Sequence, residues 1–221
     1  MFLHVNGRGS PINVSSFLWI KKLKSIFMNR RDSMCTMATC VVSPSLLLNM
    51  SAPKPQCVPQ VDLKRYMGDW YEIGRYPNPW QKHFVAVTTK YRLRKDGKID
   101  FQSTGRKKTF DGSFKEQNAT AKIVSGSKNT RWKVSFIWPI SAHYWVIELG
   151  DNYEYSVVGQ PDHKRLWILS REKTLDADLQ KGICDRLVGH GYKPERIEWT
   201  KHSEDPSVYV KPKRQKGRLF G

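Results

Sequence analysis

The chain has 221 residues, 39% of them hydrophobic and 12% aromatic, and its 38 Lys and Arg against 20 Asp and Glu give a formal charge of +18. That composition is too apolar for a disordered chain, lacks the roughly 20 consecutive apolar residues of a spanning helix, and with four cysteines is no disulfide-built miniprotein. A soluble globular domain with basic ends is expected.

Residues 1–57 carry seven basic groups and one acidic, and residues 204–221 five and two, so half of the positive excess lies outside the part that reads as folded. Arg30-Arg31, a mild apolar run from Met34 to Leu48 and small or Pro-rich residues through Pro55 follow the order of an export signal. The arginine pair resembles a bacterial twin-arginine leader starting at Met28, which predicts export to the periplasm or outer membrane. A basic leader with no address, leaving the protein cytoplasmic, is one alternative. Lipid anchoring is another, since lipidation would tie the domain to a membrane. Cys57 follows Gln56 and Lys54, the wrong residues for that processing, and Cys40 fits better but sits behind too short an apolar run.

From Val58 strand signals become dense. Trp70–Ile73 is followed by a turn-like Tyr76-Pro77-Asn78-Pro79, and Val85–Leu93 runs into Asp96-Gly97, a strong short-hairpin signal, before Ile99–Ser103. Ala119–Val124, Arg131–Phe136, Tyr144–Leu149, Tyr155–Val158 and Leu166–Leu169 complete eight short runs bounded by turn residues. The turns are too short for crossover helices, so an antiparallel meander closing into a barrel or a sandwich is predicted. One late helix follows. Thr174 is the expected cap, Leu175, Leu179, Ile183 and Leu187 form one apolar stripe, and Gly189 and Gly191 supply stops. A last short strand, Arg196–Trp199, leads to a domain boundary near 203 and a basic tail, 204–221.

This order, and three segments within it, resemble the lipocalin family. Gly68-Asp69-Trp70-Tyr71-Glu72-Ile73 is similar to the Gly-x-Trp first-strand signature. Asp151-Asn152-Tyr153 resembles the second segment but departs from its usual Thr-Asp-Tyr, and Gly159-Gln160-Pro161-Asp162 followed by Leu166–Arg171 resembles the third. The wording is nearest to bacterial outer-membrane lipocalins, plant temperature-induced lipocalins and apolipoprotein D. The resemblance implies an all-β fold, an eight-stranded antiparallel up-and-down barrel with one C-terminal helix and a short closing strand, wide enough for one small ligand. It also implies a structural plug of Gly68, Trp70 and Arg171, the guanidinium lying over the indole.

Alternation then assigns the inner face. With Trp70 inward, Glu72, Gly74 and Tyr76 follow on the first strand, and the family pattern turns in Val87, Thr89, Tyr91, Phe101 and Ser103. Trp132, Val134 and Phe136 alternate with polar neighbours, and Tyr144, Val146, Ser156, Val158, Trp167 and Leu169 complete the ring. Tyr91, Phe101, Phe136 and Tyr144 are the first expected ligand contacts, near the mouth. An aromatic lining with scattered hydroxyls suits an acyl chain. Burying about ten methylenes at ~0.8 kcal/mol each offers roughly 8 kcal/mol gross, from which ordering costs subtract. Micromolar affinity for a fatty acid or lysophospholipid, for transport, storage or membrane maintenance, is the expectation. Arg75, Trp80, Lys82, His83 and Phe84 are expected on a mouth loop. There a cationic rim fits an anionic amphiphile; a solvated loop with no headgroup role is the other reading.

No cofactor, metal site or catalytic residue is predicted. His-Glu-x-x-His, a phosphate loop and a Gly-x-Ser-x-Gly elbow are absent from the sequence, and the histidines show no ligand spacing with the cysteines. A lipocalin-fold enzyme acting on a lipid or oxidised small molecule stays as the alternative, with Glu72 as its buried acid. Cys57 and Cys184 invite a disulfide in an oxidising compartment, or stand as a free and a packed thiol. Charge alone would suggest nucleic acid, but the inward aromatics leave no exposed stacking face. A basic flank of Arg92, Arg94, Lys95, Lys98, Arg106, Lys107 and Lys108 is better suited to bringing the mouth to an anionic membrane surface.

Overall fold

The computed structural model of the protein describes residues 54–137 and 140–212. The expected leader, with Arg30-Arg31 and Cys40, and residues 213–221 of the basic tail lie outside the described residues. Eight strands run in chain order: β1 (Gly68–Arg75), β2 (Phe84–Leu93), β3 (Ile99–Lys107), β4 (Phe114–Ile123), β5 (Arg131–Ile137), β6 (Ile140–Leu149), β7 (Tyr155–Gly159) and β8 (Leu166–Ser170). Each pairs antiparallel with the next, and β1 pairs with both β2 and β8, so the sheet closes into the expected up-and-down barrel. A short helix α1 (Leu63–Tyr66) precedes β1, a longer α2 (Ala177–Gly189) follows β8, and β9 (Glu198–Trp199) joins the upper part of β1.

The strands β3 and β4 outrun the apolar segments that predicted them. Their added ends pair Gly105 with Lys115 and Thr104 with Glu116, held by the ladder rather than by a run of apolar side chains. The helix α2 is capped by Asp176, not Thr174: its carboxylate accepts from the amides of Asp178 and Leu179. The expected stripe still packs, because Leu175, although ahead of the helix, joins Leu179, Ile183 and Leu187 against the outer barrel wall. Gly191, at φ +81°, turns the chain away after the helix.

Two hydrophobic clusters follow from strand alternation. The inner one fills the lower barrel around Trp70, Tyr91, Trp132 and Tyr144, and the outer one cements α2 to the wall through Ile73, Ile147, Ile168, Ile183 and Leu187. Past β9, where a basic tail was expected from residue 204, the chain stays on the wall. Arg106 donates to the carbonyls of Ser207, Val208 and Val210, and Lys211 pairs with Glu116 at 3.1 Å.

Candidate ligand-binding site

The closed end is built first. Trp70 is fully buried, Arg171 lies over its ring with Cζ 3.8 Å from the centroid, and the indole N–H donates to the Tyr66 carbonyl. The Arg171 guanidinium also donates to the carbonyls of Arg65, Tyr66, Met67, Asp69 and Tyr153, clamping α1 and two loops beneath the barrel. Gly68 sits at φ +98°, a backbone that only glycine adopts freely, with Arg171 Nη1 3.5 Å from where a Cβ would stand.

Above this plug lies a floor of tyrosines. The Tyr144 hydroxyl meets those of Tyr66 at 2.8 Å and Tyr91 at 2.9 Å, Tyr66 reaches Ser156 Oγ at 3.0 Å, and Trp132 stacks on Tyr144 at 4.6 Å. Burial pushes the Tyr66 phenol up to about 12 and those of Tyr91 and Tyr144 well above their usual value, so all three stay neutral. Tyr91 and Tyr144, expected near the mouth, therefore belong to the floor. Tyr91 stands opposite Gly68, at the bottom of a strand that descends from the mouth, and Tyr144 is held by the tyrosines beneath it.

The remaining inward set rises from this floor. Thr89 and Ser103 share a hydroxyl bond of 2.8 Å, Phe101 packs edge-on to Tyr91 and faces Phe136, and Val87 lies against Gly105. Val134, Val146, Val158 and Leu169 are buried in the inner cluster, with Trp167 packed against it. Phe101, Ser103, Ala119, Phe136, Ala142 and Trp167, on β3–β6 and β8, keep part of their surface exposed.

On β1 the alternation breaks. A register shift between Glu72 and Gly74 inserts one residue, which turns Gly74 outward against Ile197 and Trp199 and puts Tyr76 in the outer cluster beside Tyr192. Both had been expected to face in. Arg75, expected on the mouth loop, instead points into the barrel opposite Trp167 and is 3% exposed. Its Nη1 donates to Glu72 Oε1 at 2.5 Å and to Thr200 Oγ1 at 3.1 Å, and its Nη2 to the carbonyls of Gln81 and Phe84. Glu72, 2% exposed, also accepts from Thr200 Oγ1 at 2.8 Å and from Gln81 Nε2 at 2.7 Å. Gln81 Oε1 in turn accepts from Asn78 at 2.9 Å and from the Trp167 indole at 3.0 Å. The loop between β1 and β2 is thus tied down into the cup. Sequence reading missed Tyr66, Asn78, Gln81 and Thr200. A four-residue helix shows no period, loop residues obey no alternation, and Thr200 meets Glu72 across 128 positions. Asp62, which caps α1, was the one legible signal.

The rim is amphipathic. Trp80 is 67% exposed with Arg165 over its ring at 4.3 Å, and Phe136 and Ile140 are 45% and 75% exposed. Lys82, His83, Lys107, Lys108 and Lys164 are exposed at the same end, and Phe84 is half-buried against Gly105. Arg92, Arg94, Lys95 and Lys98 of the expected basic flank sit instead at the closed end, on or beside the β2–β3 turn. Arg92, Arg94 and Lys98 are paired there with Asp96 and Asp100. Arg106 is spent on the wall segment, which leaves only Lys107 and Lys108 of that flank at the mouth. Cys57 and Cys184 are separate free thiols, each with its pKa raised by burial, and the described residues hold no cluster of three metal-ligating groups.

A closed eight-stranded barrel, plugged below by tryptophan and arginine and lined by inward aromatics, defines a lipocalin. The chain belongs to that family: the model of the lipocalin-like domain matches residues 61–202. It is 36% identical over 148 residues to the outer membrane lipoprotein Blc of Vibrio cholerae, covering 65% of this chain and 84% of the relative. It is 30% identical over 163 residues to temperature-induced lipocalin-1 of Arabidopsis thaliana, covering 68% and 84%. Insecticyanin from the tobacco hornworm shares the fold with a TM-score of 0.56 at 19% identity, over 70% of this chain and 86% of that one.

Proposed function

We propose that this lipocalin binds one single-chain lipid, a fatty acid or lysophospholipid, and holds it for transport, storage or membrane maintenance outside the cytoplasm. The observation that carries the reading is the inward aromatic wall, where Phe136 and Phe101 follow one another ring to ring down to Tyr91 of the tyrosine floor. An acyl chain would lie along that wall with its head toward the upper end of the barrel. Relatives named as outer membrane lipoproteins favour an envelope location, and Lys82, Lys107, Lys108 and Lys164 around exposed Trp80 and Ile140 favour docking of the mouth on anionic bilayers. The headgroup role expected of Arg75 is withdrawn, because Glu72 neutralises it inside the cup. The enzyme reading rested on Glu72, and Glu72 is occupied by three donors as an acceptor in a latch.

Native mass spectrometry of the whole chain purified without detergent, followed by lipid extraction, tests this. A co-purified acyl lipid displaced by a fluorescent fatty acid is the expected result. Refusal of fatty acids and lysophospholipids at tens of micromolar, a generous ceiling given roughly 8 kcal/mol of gross chain burial, would overturn it. Docking is read separately on vesicles with and without phosphatidylglycerol: binding should need the anionic lipid and weaken with salt.

A further inference from the structure

The polar cluster inside the cup has a defined hydrogen-bond code. Around the Gln81 carboxamide stand one acceptor, Glu72 Oε2, and two donors, the Trp167 indole N–H and the Asn78 amide. Gln81 and Trp167 are only half-buried, whereas Glu72 and Asn78 are buried. The cluster carries no net positive charge: Arg75 is matched by Glu72 at 2.5 Å, and Glu198 lies 3.6 Å from its Nη2. The network is also incomplete. Arg75 Nε is buried with no partner, a cost seldom left standing in a finished core.

We propose that Glu72, Trp167 and Asn78 form an internal recognition site for a neutral head group that both donates and accepts, such as a carboxamide or a hydroxyl beside an ester. Gln81 is its tethered occupant. The inference rests on the lipid-binding reading above and adds a selectivity rule to it. A carboxamide on an acyl chain reproduces every bond that the Gln81 side chain makes. An ionised carboxylate in the same position puts an anionic oxygen where Gln81 Nε2 now stands, 2.7 Å from Glu72 Oε2, with no proton between them. Arg75 cannot compensate, since its Nη1 and Nη2 are committed to Glu72, Thr200 and two backbone carbonyls. A neutral ligand competes with Gln81 for the site, so its binding frees the loop side chain from the wall while Arg75 still holds the Gln81 carbonyl.

Oleamide and oleate share one chain and differ only in the head, so their competition against a fluorescent lipid on the full-length protein isolates the rule. At alkaline pH oleamide should bind at least tenfold more tightly. Gln81→Ala, which removes the internal competitor at a half-buried loop position, should tighten oleamide severalfold and leave oleate unchanged. Glu72→Gln should close most of the gap by relieving the repulsion of oleate; should that variant fail to fold, Gln81→Ala carries the test alone. Equal affinities, with Gln81→Ala altering neither, would overturn the rule and leave the carrier reading standing. Binding of neither lipid would sink both.

Discussion

The two ends of the barrel interior each contain a buried or half-buried arginine beside a tryptophan, and they use it in opposite ways. At the floor, every nitrogen of Arg171 donates to a backbone carbonyl, its plane covers Trp70, and the tyrosine hydroxyls above satisfy one another. On the upper wall, Arg75 is buried against a carboxylate, keeps one unpartnered nitrogen, and reaches the loop carbonyl of Gln81 as well as that of Phe84 at the start of β2. A network whose groups are all paired has nothing to gain from a new partner; one that is incompletely paired and half-open does. The floor therefore fixes the fold, and the upper wall is the part free to recognise something.

The sharpest way to test the floor's half of this contrast is Trp70→Ala. It deletes a fully buried side chain and the surface under Arg171, and should cost about 3–5 kcal/mol in urea unfolding. A loss under about 1 kcal/mol would mean that the plug is not what holds the closed end. The upper wall should respond differently. Glu72→Ala leaves Arg75 only the half-exposed Glu198, 3.6 Å away, as counter-charge and should cost up to about 3–5 kcal/mol, whereas Glu72→Leu with Arg75→Met should regain most of it. That rescue, measured by the same unfolding, has no counterpart at the floor, where removing both Trp70 and Arg171 should be worse than removing either.

Tyr144→Phe probes the floor at finer grain. The substitution keeps the ring that stacks on Trp132 and removes the hydroxyl that bridges Tyr66 and Tyr91. Tyr66 retains Ser156, but Tyr91 is left without a hydroxyl partner, so a loss of about 1–3 kcal/mol is expected. Because the ring volume is unchanged, the oleamide-to-oleate ratio should not move. A shifted ratio would couple the two ends and break the contrast.

The sequence made the floor legible and left most of the upper wall obscure, for physical reasons. Trp70, Tyr91, Trp132 and Tyr144 lie on strands of period two, so alternation puts them inside, although alternation alone could not say how deep. The alternation of β1 fails at one bulge, and that single residue carries Gly74 and Tyr76 out and Arg75 in. A bulge has no composition signature in the run Glu72-Ile73-Gly74-Arg75. Asn78 and Gln81 sit in a loop, and Thr200 arrives from the far end of the chain, so their meeting with Glu72 is a tertiary fact. The strand order and the outer helix were readable because local periodicity dictates them, and the choice of a barrel over a sandwich came from the resemblance to the lipocalins. The latch was not, because nothing local does.

The smallest expected effect lies just behind that latch and reads it by pH. His202 shares a 2.8 Å bond between Nε2 and the Glu72 carbonyl, so in the neutral ring Nε2 donates and Nδ1 faces the Tyr209 hydroxyl at 3.2 Å. Burial, with Lys173 nearby, pulls its pKa below the usual 6.5 against the opposing pull of Glu72. A base whose folded pKa is depressed adds stability that is present above 6.5 and is lost as the pH falls through the folded value. Glu148, on the outer wall beside Arg186 and His190, has the opposite sign: burial raises its pKa, so acidification through its range favours the fold. The whole-protein curve mixes the two, and the difference between wild type and His202→Gln separates them. Between about pH 7 and 5 the wild-type melting temperature should fall more steeply than the variant's, by a few degrees at most. Parallel curves would mean that His202 is as easily protonated in the fold as in the unfolded chain, and that the back of the latch is wet.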